Sequence, residues 1–89
     1  MKENEKVIIP VYKLEEQDEK VLVRIQVDKN LDSFDHVWIK KEKFLIYKDR
    51  YYIEGVINRK IGSNYVVVFD ELTGKFSMLI NENMIERGN

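Results

Sequence analysis

The reactive groups in this chain are a single histidine, many carboxylates and no cysteine. His36 closes the run Asp32-Ser33-Phe34-Asp35-His36, which contains the residue types of a hydrolase triad. Working triads draw their members from separate elements that converge in space, and close neighbours in sequence do not converge that way. The run reads instead as a polar turn leading into a strand at Val37. Asp32, Asp35 and His36 would make an open metal site short of ligands. Without cysteine, thiolate zinc sites and disulfides are excluded. Glu15, Glu16, Asp18 and Glu19 form an acidic loop without the spacing and central glycine of a calcium loop. With Gln17 and Lys20 they read as a solvated turn. Gly55, Gly62, Gly74 and Gly88 lie too far apart to cradle a phosphate. The expectation is therefore no catalytic residue, no metal, no cofactor and no enzyme.

Binding chemistry is concentrated between residues 38 and 60. Lys40, Lys41, Lys43, Lys48, Arg50, Arg59 and Lys60 are interleaved there with Trp38, Phe44, Tyr47, Tyr51 and Tyr52. Cationic groups neutralise phosphates, and flat rings stack on unpaired bases. The candidate nucleic-acid-binding set is Trp38, Lys40, Lys41, Lys43, Arg50, Tyr52, Arg59 and Lys60. A bland account fits the same residues: small β proteins use aromatics as core, and lysines protect strand edges. Glu42, Asp49 and Glu54 also dilute the positive field. Period two divides the adjacent tyrosines, placing Tyr51 with Ile53 and Ile57 toward the core and Tyr52 outward. By the same alternation Trp38 points away from Val37 and Ile39, and an exposed tryptophan marks a contact site.

The elements that must carry these groups are strands. In Val21 to Asp28 every odd position is a β-branched aliphatic and the even positions are mostly polar. That alternation gives a strand one core face and one wet face. Further strands are expected at Val7–Leu14, His36–Ile39, Phe44–Tyr47, Tyr51–Ile57, Tyr65–Asp70 and Lys75–Ile80. Pro10 places the first of these at an edge or on a bulge. Lys48-Asp49-Arg50 and Glu71-Leu72-Thr73-Gly74 read as hairpin turns, and Gly62-Ser63-Asn64 as a break. Val37-Trp38-Ile39, polar Lys40 to Lys43 and apolar Phe44 are echoed by Met78-Leu79-Ile80, polar Asn81 to Asn83 and apolar Met84-Ile85. Each is preceded by a strand, Val21–Val27 or Tyr65–Phe69. The echo suggests a strand, a polar helical turn and an apolar plug, which favours a barrel. As a sign of duplication it is no stronger than chance likeness between amphipathic stretches. The expected fold is all-β with at most a short helical turn: a small antiparallel barrel, SH3-like, with OB-like or PUA-like barrels as alternatives.

The chain of 89 residues, 44% hydrophobic and 35% charged, is expected to form one domain over residues 1–89, with loose ends at 1–6 and 86–89. No apolar run approaches the roughly 20 residues needed to span a bilayer. The lack of disulfides favours a reducing cytoplasm. Net charge is −1, yet residues 21–60 carry nine basic and six acidic groups. The leading expectation is a small regulatory module contacting RNA or single-stranded DNA. The alternative is a protein-interaction module: a homodimer, or an inhibitor or adaptor of a larger protein.

Overall fold

The computed structural model describes residues 1–71 and 74–87. The chain forms one curled, wholly antiparallel sheet. Its strands are β1 (Lys6–Glu16), β2 (Lys20–Gln26), β3 (Phe34–Lys40), β4 (Phe44–Tyr47), β5 (Arg50–Ile61), β6 (Asn64–Asp70), β7 (Lys75–Asn81) and the two-residue β8 (Glu86–Arg87). The order across the sheet is β3-β2-β1-β5-β6-β7, with β4 beside β5 and β8 beside β1. The barrel-like all-β architecture expected from period two is present. Val21, Val23 and Ile25 are fully buried, as alternation requires. Each contributes about 1.5–3 kcal/mol by leaving water. Val7, Ile9, Ile53, Ile57, Val67 and Phe69 fill the same interior from β1, β5 and β6.

The strand pairing repeats itself. Tyr12↔Arg24, Lys13↔Val23, Glu15↔Leu22 and Glu16↔Val21 join β1 to β2. Val56↔Val68, Ile57↔Val67, Arg59↔Val66 and Lys60↔Tyr65 join β5 to β6 in the same register, with a bulge at the same step. The β2–β3 ladder from Lys20↔Lys40 to Gln26↔Phe34 matches the β6–β7 ladder from Asn64↔Asn81 to Asp70↔Lys75. Two 3₁₀ turns, Lys41–Lys43 and Glu82–Met84, follow β3 and β7. Each is tied to the preceding hairpin by one backbone bond, Lys41 N–H to Glu19 O at 3.1 Å and Glu82 N–H to Ser63 O at 2.9 Å. After the turns, each half passes its last strand across: β4 pairs with β5, and β8 pairs with β1. The halves are thus related by a two-fold axis through the Ile9↔Ile53 pair of the central ladder. The echo of polar turn and apolar plug marks this structural repeat, with Ile85 in the place of Phe44 and Met84 in the place of Lys43.

Pro10 does not lie at an edge, because β1 is central. It falls where β1 passes from β8, paired at Ile8, to β2, paired from Val11. Nor does Pro10 sit on a bulge, since its pairing with Tyr52 is in regular register; the strand's bulge lies further on, between Lys13 and Glu15. Near the start of the chain, Asn4 N–H donates to Ile57 O at 2.7 Å and Ile57 N–H to Glu5 O at 3.0 Å. At the other end, Glu86 and Arg87 pair with Ile8 and Val7. The turn expected at Glu71–Gly74 includes Leu72 and Thr73, which lie outside the described residues, as do Gly88 and Asn89. Within that turn, Glu71 N–H bonds to Gly74 O at 2.8 Å. A seam joins the end of β7 to the loop after β2: Asn81 N–H donates to Val27 O at 2.8 Å, and the Asn83 side chain accepts from Lys29 N–H and donates to Asp28 Oδ1.

Candidate nucleic-acid interface

The expected binding residues do not assemble on one face. Arg50 opens β5, while Arg59 and Lys60 lie near its other end, up to about 30 Å away at ~3.3 Å per residue. Lys41 is engaged with Glu16 at 2.7 Å, and Lys13 holds the same carboxyl at 2.8 Å. Hydrogen bonds from these two lysines lower the Glu16 carboxyl to about 2. Lys43 bridges Glu54 at 3.2 Å and Asp70 at 3.8 Å, and the Glu54 hydrogen bond raises its ammonium above the ordinary lysine value. Lys60 sits 5.7 Å from the Tyr65 ring.

Tyr52, expected to be exposed, is only 5% accessible. It does alternate with Ile53, but the sheet flanks it with Pro10 on β1 and Leu45 on β4. The outer side of this central ladder is covered, so facing away from the core does not mean facing water. Tyr51, expected in the core, is half-buried at its margin and stacks on Phe44 at 5.3 Å.

Trp38 and Lys40 remain together, in different company, and Trp38, expected to be exposed, is half-buried. They belong to the outer face of β1, β2 and β3, opposite Ile39, which is buried, and Val37, which packs on the core. Cross-strand register places Lys20 beside Lys40, Leu22 beside Trp38, Arg24 beside His36 and Tyr12 beside Arg24. Lys20 Nζ lies 4.4 Å from the centre of the Trp38 ring. The Arg24 guanidinium lies 3.7 Å over Phe34 and 5.9 Å from Tyr12. Its Nε is buried without a hydrogen-bond partner, so the group is spent on the ring rather than on an acceptor. Lys20, Arg24 and Lys40 make no ion pair among the described residues. Sequence reading passed over Lys20, Arg24 and Tyr12 because they lie outside the central segment. The even positions of the β2 pattern were the signal that could have found them.

His36 is exposed on β3 beside Arg24, and Asp32 and Ser33 lie in the preceding loop. No cluster of three or more histidine or acidic residues able to hold a metal occurs among the described residues. Among them too, no helix is long and apolar enough to cross a membrane.

The two-fold repeat supplies a control for this face. Where the first half has Lys20, Leu22, Arg24, His36, Trp38 and Lys40, the second has Asn64, Val66, Val68, Ser77, Leu79 and Asn81 on matching ladders. The same backbone thus forms with neutral residues at these six positions, while Arg59 and Lys75 stand where the first half has Glu15 and Phe34. Fold alone does not explain the cations and rings of the first half. The chain matches no family model, no curated protein and no solved structure.

Proposed function

We propose that the chain is a non-enzymatic binding module whose β1–β2–β3 outer face contacts RNA or single-stranded DNA. The supporting observation is the row of Lys20, Trp38, Arg24 and Phe34, unmatched in the structurally equivalent second half. Guanidinium planes and indole rings are surfaces on which unpaired bases stack, and the lysines supply charge for the backbone. Trp38 is the only tryptophan, so its fluorescence reports directly on this face. Titration with mixed-sequence single-stranded oligonucleotides should quench it. Log affinity should fall with log salt at a slope near −1.4, about −0.7 for each of the two phosphates met by Lys20 and Lys40. Arg24→Gln should weaken binding about tenfold. Absence of binding at low salt, or binding indifferent to salt, would refute the reading.

A second reading, protein docking, is favoured by the β4 edge, where Ile46 is 67% and Tyr47 60% exposed. It predicts a concentration-dependent dimer, or a partner lost on Ile46→Lys, and sedimentation velocity separates a self-associating chain from a monomer.

A further inference from the structure

The two-fold repeat creates two equivalent clefts, one in each half, and they have diverged. In the second half the cleft is lined by Lys43, Glu54, Gly55, Val56 and Asp70. Its own side chains occupy it: Lys43 bridges Glu54 and Asp70, and Lys75 holds Asp70 at 2.9 Å. In the first half the matching positions are Met84, Pro10, Val11, Tyr12 and Gln26, joined by Tyr51. No ion pair spans this cleft among the described residues. It encloses about 390 Å³, within the size range of small-molecule sites.

Its chemistry is that of a flat, weakly polar group carrying negative charge. Pro10, Tyr12, Tyr51 and Met84 provide apolar and aromatic walls. Gln26 is held in one orientation because its Nε2 donates to the carbonyls of Asp28 at 3.0 Å and Leu31 at 3.1 Å. Neither bond uses its Oε1, which can accept from an amino or imino group. Lys29 and Arg50 contribute two cations to the lining against the single carboxylate of Asp49. The cleft adjoins the outer face, since Tyr12 lies beside Arg24 and Gln26 pairs with Phe34.

We infer that this cleft takes one nucleobase of the strand bound on the outer face, with its phosphate at Arg50 and Lys29. The inference rests on the nucleic-acid reading and adds a pocket to a flat surface. A base in the cleft would explain why the ion-paired filling of the second half has no counterpart in the first.

The test uses the full chain labelled with ¹³C at the methionine methyls. Met84 reports on the cleft, Met1 and Met78 serve as internal references, and Trp38 fluorescence reports on the outer face. On titration with a mixed-sequence single-stranded heptanucleotide, the Met84 methyl should move upfield, as expected beside an aromatic ring, in step with Trp38 quenching. Arg50 is exposed, so Arg50→Gln should leave thermal unfolding unchanged while weakening the Met84 response about tenfold. Trp38 quenching with an unmoved Met84 overturns the cleft alone. No response of Trp38 overturns the strand reading, and silence at both positions overturns the two together. An Arg50→Gln response equal to that of the parent removes Arg50 from the site and overturns the phosphate placement.

Discussion

Replacing Gly55 with valine and Phe69 with isoleucine would copy into the second half the pair that the first half uses at the same place, Val11↔Ile25. A Cβ built on Gly55 would lie 2.6 Å from Val67 Cγ1 and 2.8 Å from Phe69 Cε1, well inside van der Waals contact. Gly55 has no left-handed φ, so backbone strain does not enter. Val67 and Phe69 are 0% and 1% exposed and cannot give way into solvent. Gly55→Val alone should therefore cost about 2–3 kcal/mol in overpacking, reduced by ~0.5–1 kcal/mol for removing a strand glycine. Phe69→Ile alone should cost about 2 kcal/mol in lost burial and in its stacking on Phe76 at 5.2 Å. The double variant should be no less stable than Phe69→Ile, because Val11 and Val23 already coexist beside Ile25 on the matching ladder. The expected coupling is about 1–3 kcal/mol, or roughly 4–8 °C in Tm per kcal/mol for a domain of this size. Thermal and urea denaturation of the four proteins measures it. Additive losses, or a Gly55→Val single as stable as the parent, would refute the idea that the halves trade side-chain volume on a common backbone.

Two further predictions concern the turns and the seam. Lys48 and Asp49 form the two-residue β4–β5 loop with φ of 51° and 63°, a conformation suited to Asn-Gly. Lys48→Asn with Asp49→Gly should raise stability by about 1–2 kcal/mol, read as a higher denaturation midpoint, and an unchanged midpoint would contradict this. Asn83→Ala should cut the seam by releasing Lys29 N–H and Asp28 Oδ1, at a cost of about 1 kcal/mol. Asn83, and then the Asn30 N–H, hold the Asp28 carboxyl below its usual value. A depressed carboxylate stabilises above its unfolded pKa and loses that contribution as pH falls through the folded one. The Tm gap between parent and Asn83→Ala should thus be widest near neutrality and narrow in acid, and a gap independent of pH would count against the role given to Asp28.

Local chemistry written in the chain was sufficient for the strands. Val21 to Asp28 alternates so regularly that one face had to be core, and Phe44–Tyr47 begins and ends as expected because charged turns bound it. The orientation of Trp38 followed from the same rule. Tyr52 did not, because alternation names a face but not what covers it. Long-range pairing with Pro10 and Leu45 covers that face. The grouping of the basic residues was not legible either. Nearness in sequence between Lys40 and Lys60 says nothing about nearness in space when one long strand separates Arg50 from Lys60 and carboxylates from distant strands claim Lys41 and Lys43.

Short alternating strands and polar turns were legible in the chain, since these depend on side chains within a few residues of one another, whereas the turn-and-plug echo was there no more than a likeness. Strand pairing makes that echo a two-fold repeat about Ile9↔Ile53. Pairing also draws Lys20, Arg24, Phe34 and Trp38 onto one face and leaves one of two equivalent clefts without an internal ion pair among the described residues. Those outcomes depend on ladder register and on which strand lies beside which. Both are settled by burying the shared core once, for the whole chain together.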